Sequence, residues 1–292
     1  MATPISQQKQ LTQRIDSNHD HYWMATSAFY QHTNRQEALR KWTEEQFESY
    51  VVNVLSESFD DKLGEPLRVL GVGSSEGSQE IIQLKNLKNK FSRISASVIE
   101  PSKQKISKYQ ETVNQKNSDF TGIKYEWHNQ TFQEYIQYMR VQKKYHYITI
   151  IHTMYFLGDV EQAVRNLHEL LEPGGVIFMV LGTDYKGIGN LFLTFPDLHK
   201  VAASSKTSRV TNSTDIISVL TKYQIGYTKS SYTESTDITT CYTHKESTEA
   251  GLLLDALTAT MNFKEVVPQD IFKDVMDFIK RNTRVKKGDQ RR

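Results

Sequence analysis

The chain of 292 residues is 38% hydrophobic and 24% charged, and its 36 basic and 34 acidic residues leave a formal net charge of +2. A disordered chain would carry fewer apolar residues or a larger charge imbalance, and a nucleic-acid-binding protein a marked basic excess, so we expect a folded protein without a nucleic-acid partner. The longest apolar run, residues 176–181, is far shorter than the roughly 20 residues that cross a bilayer, so we expect no membrane association.

The N-terminal part of the chain predicts helices. Residues 1–20 are polar, contain no apolar signal segment, and are expected to be flexible. Apolar residues at helical spacing then predict one helix around residues 22–30 and a second over residues 38–55, which ends before Gly64-Glu65-Pro66.

The middle of the chain alternates strands with helices. Short apolar runs predict five strands, at residues 67–72, 94–99, 123–127, 147–151 and 176–181. Stretches with helical spacing lie between several of them, at residues 78–87, 103–113 and 160–171. Because strands separated by helices need right-handed crossovers, we predict an α/β fold with a mainly parallel, doubly wound, Rossmann-like sheet.

The pattern changes after Gly182. Residues 185–206 resemble a loop, and Ser213 is a candidate cap for a helix that runs to Leu220. The remaining segments are predicted as a possible strand at 226–232, helices at 251–261 and 268–279, and a basic tail from residue 280 that we expect to fray.

Three ordered motifs carry the predicted chemistry. The turn with Gly71 and Gly73 follows a strand and opens a helix, and it lacks the Lys of a phosphate-binding P-loop. Glu100 ends the second strand, where a carboxylate can accept hydrogen bonds from both hydroxyls of a ribose, although it could instead cap the next helix. The third motif is the Leu171-Glu172-Pro173-Gly174-Gly175-Val176 turn. This trio resembles S-adenosylmethionine-dependent methyltransferases of the Rossmann-like class.

Longer stretches resemble the histamine N-methyltransferase family: Val98-Ile99-Glu100-Pro101-Ser102, Ile106-Ser107-Lys108-Tyr109, Trp127-His128, Met154-Tyr155-Phe156 and Met261-Asn262-Phe263. The resemblance covers most of the chain, from about Tyr22 to about Pro268. It implies a cofactor-binding methyltransferase domain at residues 63–184, and a smaller substrate lobe built from the helices of residues 21–62 and from residues 185–292. It also implies a monomeric enzyme that transfers a methyl group to a ring nitrogen of a small imidazole-containing molecule.

The resemblance assigns candidate cofactor residues by position. Gly73, Glu100 and Ile151 match the residue types of the family, whereas Lys105 stands where the family has Gln and Phe132 where it has Ser. Gly71 belongs to the same glycine turn. The expected cofactor is S-adenosylmethionine, and Phe132 is either a wall of the adenine pocket or a core residue.

The substrate side departs further from the family. Arg35 stands where the family has a Glu that receives the ammonium group of histamine, and Glu37 lies two residues on. Because a guanidinium repels an amine, Arg35 favours an acceptor with a carboxylate, such as histidine or carnosine, whereas an inward Glu37 would favour histamine. His152 replaces an imidazole-binding Gln and is the candidate catalytic residue, to orient the acceptor or to take its proton; it could also be a packed structural His. The candidate aromatic residues of the substrate pocket are Tyr22, Tyr155, Phe156, Tyr185 and Phe192.

Other function classes are weaker hypotheses. A catalytically silent relative that binds the cofactor or a small amine is the main alternative, because the substrate residues differ from those of the family. The balanced charge argues against a protein or RNA acceptor. The single cysteine, Cys241, excludes an internal disulfide and favours a reducing, cytoplasmic location, and no cluster of His, Cys and carboxylates predicts a metal site.

Overall fold

A computed structural model describes residues 15, 18–59, 64–115, 117–139, 143–183, 187–195, 198 and 211–283. Its strands are β1 (Leu67–Val72), β2 (Ile94–Ile99), β3 (Ile123–His128), β4 (Tyr145–Ile151) and β5 (Leu171–Val180). Its α-helices are α1 (His19–His32), α2 (Arg35–Phe47), α3 (Asn53–Ser58), α4 (Ser78–Lys88), α5 (Lys103–Gln115), α6 (Phe132–Met139), α7 (Val160–Glu169), α8 (Leu191–Thr194), α9 (Ser213–Lys222), α10 (Thr240–Thr243), α11 (Thr248–Thr258), α12 (Phe263–Val266) and α13 (Gln269–Arg281). A π-helical turn, Glu48–Val52, joins α2 to α3.

The strands form one sheet in the order β3-β2-β1-β4-β5, with every neighbouring pair parallel. The predicted α/β, doubly wound, Rossmann-like fold is therefore confirmed. Because β1 lies between β2 and β4, the carboxyl ends of these three strands are adjacent. The chain moves outward from β1 in both directions, and ligands of such sheets bind at the carboxyl ends near this switch point.

Both faces of the sheet are buried, because successive side chains of each strand point to opposite faces. Leu70 and Ile148 pack in one apolar cluster with α6, α7 and α9. Val69 and Tyr147 pack in a second cluster with residues of α2, α3, α4 and the π-helical turn. The near-continuous apolar runs of β1 and β4 reflect this two-sided burial.

The described residues divide into two compact units. The sheet unit contains the described residues of Arg35–Gly182 and Thr211–Thr233, and the helical unit contains those of Met1–Asn34, Thr183–Val210 and Glu234–Arg292. The grouping differs from the predicted boundaries, because residues from Arg35 to the end of α3 belong with the sheet. The physical reason is that Phe47, Val51 and Leu55 are buried in the same cluster as β1.

Three local expectations differ from the structure. The possible strand at 226–232 is wrong, because these exposed residues form no ladder with another strand. The predicted loop at 185–206 contains a 3-10 turn, Gly187–Asn190, and α8. Helix α6 was not predicted, although its apolar residues follow helical spacing.

Strand β5 begins earlier than predicted. The Pro173-Gly174-Gly175 motif ends a helix in the prediction but lies inside β5, where the register between Tyr145 and Tyr147 shifts. Gly174 has φ +76°, and a methyl carbon in place of its hydrogen would lie 2.5 Å from Ser58 Cβ. Glycine therefore lets this irregular strand pass close to α3.

The helical unit ties its first helix to α11 through two His–carboxylate pairs. His21 Nε2 lies 2.6 Å from Asp255 Oδ2, and the Asp255 side chain is only 4% exposed. Asp255 also accepts hydrogen bonds from the backbone N–H groups of Asn262 and Phe263, at 2.9 and 2.8 Å. The second pair, His32 and Glu249, is far more exposed. None of the described helices is long and apolar enough to cross a membrane.

Candidate functional site

The glycine turn connects β1 to α4 at the carboxyl edge of the sheet. Gly73 has φ +66°, and its N–H donates to the carbonyl of Ile99 at 2.9 Å. A methyl carbon at Gly73 would lie 2.5 Å from Thr153 Cγ2, and one at Gly71 would lie 2.1 Å from a carboxylate oxygen of Glu80. Both positions therefore require glycine, because neighbouring side chains already fill the space that a Cβ atom would take.

Glu100 ends β2 and is 6% exposed. Its Oε2 accepts the Ser75 N–H at 2.8 Å, and its Oε1 accepts the Ser102 N–H at 2.8 Å just before α5 begins. Glu100 therefore holds the glycine turn. It also supports the start of α5, which agrees with the predicted capping role. An ionised carboxylate has about four acceptor positions, so two remain for the hydroxyls of a ribose.

Lys105 joins the same cluster from the first turn of α5. Its Nζ donates to Ser75 Oγ at 3.0 Å. Burial lowers the pKa of this ammonium group, while the negative charges of Glu100 and Glu76 oppose that effect. Ser75 has a positive φ of 52°. The unusual backbone of Ser75 is thus held from two sides, by Glu100 through its N–H and by Lys105 through its hydroxyl.

His152 follows Ile151 at the end of β4, next to the glycine turn. Its backbone has φ +52°, and its N–H donates to the carbonyl of Val180 at 2.8 Å. The ring Nδ1 lies 3.5 Å from the hydroxyl of Tyr155, which itself accepts the Gly182 N–H at 2.7 Å. Nε2 is buried and has no hydrogen-bond partner among the described residues. A buried nitrogen of this kind is costly unless a ligand pairs with it.

Burial, together with a smaller effect from the positive charge of Arg35, lowers the pKa of His152 to about 3. The imidazole is therefore neutral at physiological pH. Arg35 begins α2, is half-buried, and belongs to the same unit as His152. The positive charge of Arg35 is therefore close enough to the imidazole to disfavour its protonated form.

Glu37 has a different environment. Its side chain is 63% exposed and forms hydrogen bonds with Arg40 one turn further along α2. Residues two apart in a helix face different directions. Arg35 and Glu37 are the two residues predicted to bind the charged group of the acceptor. Of these, Arg35 lowers the pKa of His152, whereas Glu37 pairs with Arg40 at the surface.

The other predicted residues occupy varied environments. Phe132 is buried with Val72 and Ile99, as the core alternative expected. Phe156 is 43% exposed and packs edge-on against Tyr155. In the helical unit, Tyr22 packs edge-on against its neighbour in α1, and Phe192 packs on that unit's apolar core. Tyr185 lies outside the described residues.

Sequence reasoning missed two side chains beneath and beside the glycine turn. Thr153 packs against Gly73, and its hydroxyl donates to the carbonyl of Ile151 at 3.0 Å. Glu80 is buried in α4 at 4% exposure. Its position could have been found, because Glu80, Leu84 and Leu87 share one helical face and Glu80 is the only charged residue of that set. No comparable signal marks Thr153.

A family model described as a methyltransferase domain matches residues 30–215, more than half of the chain. Histamine N-methyltransferase of Cavia porcellus is 27% identical over 89% of this chain and 87% of its own length. Histamine N-methyltransferase of Danio rerio is 29% identical over 73% of both chains. Carnosine N-methyltransferase 2 of Gallus gallus is 28% identical over 69% of this chain and 63% of its own length.

The chain belongs to this methyltransferase family, and the resemblance to histamine N-methyltransferases is confirmed. It is an S-adenosylmethionine-dependent methyltransferase. The site fits this cofactor, since Glu100 offers acceptors beside the glycine turn at the switch point of the sheet. The structure gathers the predicted cofactor residues Gly73, Glu100 and Lys105 around one turn, with Ile151 at the next strand end.

Proposed function

We propose that the protein transfers a methyl group to a ring nitrogen of a small imidazole-containing acceptor that also carries a carboxylate, such as histidine or carnosine. The observation that carries this proposal is the unpaired, buried Nε2 of His152 beside the charge of Arg35. An imidazole can pair with that nitrogen, and a guanidinium is a good partner for a carboxylate. The relatives named for histamine and carnosine N-methylation support an imidazole acceptor.

His152 would orient the acceptor ring through a hydrogen bond at Nε2. Proton acceptance is the other role predicted for His152, but a pKa of about 3 makes this residue a poor base. A neutral imidazole acceptor already has one nitrogen with a free lone pair, so no strong base is needed to start the transfer. Methylation would give an imidazolium, which would then lose the proton on its other ring nitrogen to solvent.

The remaining task of the protein is positioning. When bound, S-adenosylmethionine supplies an electrophilic methyl group. Glu100 would hold the cofactor's ribose, and His152 and Arg35 would hold two ends of the acceptor. Alignment of the reacting nitrogen at roughly 3–3.5 Å from its target accounts for much of the rate gain in reactions of this type. No observation in the site favours the alternative of a catalytically silent protein.

A panel of acceptors tests the proposal. We expect wild-type protein to methylate histidine or carnosine with a higher kcat/KM than histamine. Arg35→Glu should reduce that preference by about tenfold or more, since it replaces an attraction to the carboxylate by a repulsion. Label transfer from a radioactive methyl donor measures each rate.

Glu37→Gln is the matched control for this panel. It changes the charge two residues away on the same helix, at an exposed side chain that pairs with Arg40, and should leave the acceptor preference unchanged. A carboxylate preference that survives Arg35→Glu would refute the role of Arg35. A complete lack of methylation with every imidazole acceptor would refute the proposed function.

We also expect His152→Ala to lower kcat/KM by about tenfold, the effect of losing one hydrogen bond of roughly 1–1.5 kcal/mol. The dissociation constant of S-adenosylmethionine, measured by calorimetry, should stay unchanged. Because His152 stays neutral at physiological pH, its own ionisation should add no inflection to the wild-type rate profile between pH 5 and 9. A parallel loss of turnover and cofactor binding would instead indicate a structural role.

A further inference from the structure

Glu80 places a buried carboxyl group directly beneath the glycine turn. One carboxylate oxygen fills the space where a Cβ atom of Gly71 would lie, and Ser74 Oγ borders the same space. Ser74 Oγ is buried and has no partner of ordinary hydrogen-bond geometry among the described residues. Its hydroxyl nevertheless favours the ionised form of Glu80. The turn that follows β1 therefore rests on this carboxyl group.

Tyr109 connects this carboxyl group to α5. Its hydroxyl donates to Glu80 Oε1 at 3.3 Å, and its ring packs on Gly77, where a Cβ atom would lie 2.4 Å from the ring. The turn is thus bounded by Glu80 near its start and by the Tyr109 ring at its end. Glu80 and Tyr109 form one unit with the backbone between Gly71 and Gly77.

The described residues that interact with the charge of Glu80 all have neutral side chains. These groups are Tyr109 of α5, Tyr125 of β3 and Tyr147 of β4, and burial, with a smaller effect from the charge of Glu80, raises the pKa of each phenol. The hydroxyl of Tyr147 donates to Gln83 at 3.0 Å. Among the described residues, no cation shifts the pKa of Glu80. The charge state of Glu80 is therefore free to change without breaking an ion pair.

We propose that Glu80 is a positioning residue for the cofactor, and that its ionised carboxylate holds the glycine turn in the form that binds S-adenosylmethionine. An ionised carboxylate accepts the hydrogen bond from Tyr109 and leaves acceptor positions toward the neighbouring Ser74 hydroxyl, whereas a protonated one must also place its own proton. Its negative charge also favours a sulfonium compound bound at the turn. The inference depends on the cofactor and not on the identity of the acceptor.

The protonated and ionised forms of Glu80 are equally populated near neutral pH. Burial raises the pKa of Glu80 to about 7, from 4.5 in an unfolded chain. Binding of the cofactor to the ionised form must therefore become tighter as the pH rises through 7. For the free protein the sign is opposite: the raised pKa stabilises the fold below pH 4.5, and this contribution is lost as the pH rises to about 7.

Calorimetric titration of S-adenosylmethionine between pH 6 and 8, without acceptor, tests the proposal. At each pH, the dissociation constant of Glu80→Gln is divided by that of wild type. This ratio cancels the effect of the cofactor's own protonation, which is the same for both proteins. We expect this ratio to rise about fivefold between pH 6 and 8. Melting of the free variant supplies a check on folding, because Glu80→Gln should gain stability relative to wild type as the pH rises from 4.5 to 7.

Two further variants separate positioning from packing. Glu76→Gln removes an exposed carboxylate of the same turn, paired with Lys108. The ratio of its dissociation constant for S-adenosylmethionine to that of wild type should not change with pH. Tyr109→Phe keeps the ring on Gly77 and removes a hydrogen bond that lowers the pKa of Glu80, so the transition should move to higher pH. A Glu80→Gln ratio that is constant across the pH range would overturn the proposal, as would an equal effect of Glu76→Gln.

Discussion

Replacing Asp255 with Ala is expected to lower the free energy of unfolding by about 3–5 kcal/mol. The change removes the partner of His21 and leaves the N–H groups of Asn262 and Phe263 without their acceptor. Each unsatisfied buried donor costs about 1–3 kcal/mol. Urea unfolding followed by circular dichroism measures the loss.

The pair of His32 and Glu249 provides a matched control, since it joins the same two helices. The Glu249 side chain is 49% exposed. An exposed ion pair contributes at most about 1 kcal/mol, so Glu249→Ala should change the unfolding free energy by no more than that. Equal effects of the two substitutions would show that burial does not set the strength of these contacts.

Glu100→Ala is expected to weaken the binding of S-adenosylmethionine by about 10- to 150-fold. The loss corresponds to a charge-assisted contact of roughly 1.5–3 kcal/mol. The backbone of Ser75 also loses the oxygen that holds it, so the turn and the ribose contact should weaken together. Isothermal calorimetry with the cofactor alone measures the dissociation constant.

Two controls make the Glu100 result specific. Glu76→Ala removes an exposed carboxylate of the same turn, paired with Lys108, and should leave the affinity nearly unchanged. The melting temperature of free Glu100→Ala shows whether the fold is retained, since Ser102 also loses an acceptor. An unchanged dissociation constant in a folded variant would exclude Glu100 from the cofactor site.

The sheet could be predicted from sequence because its strands are buried on both faces and read as short apolar runs. β1 and β2 have the predicted ends, since glycine or proline follows each one closely. The predicted strand at 226–232 is wrong because Tyr227 and most of its neighbours are exposed and pair with no other strand. Local composition does not show whether a partner strand is available.

The site was predictable where a motif fixes the backbone, and less so where distant residues meet. Glu100 could be placed at a strand end beside the glycine turn from spacing alone. Spacing could not decide between Arg35 and Glu37, because the rotation of α2 depends on how Leu39 and Phe47 pack. The pair of His21 and Asp255 joins residues 234 positions apart, and no local pattern indicates such a contact.

Helix α2 carries the residue proposed for acceptor selection one turn before the residues that anchor the helix. Its buried residues, Leu39, Thr43 and Phe47, follow one another at intervals of four, while Arg35 occupies the first position of the same helix. A single substitution at residue 35 changes the charge near His152 and leaves that buried face intact. Under the proposed role of Arg35, a change between cationic and anionic acceptors would therefore need no compensating substitution in the hydrophobic interior.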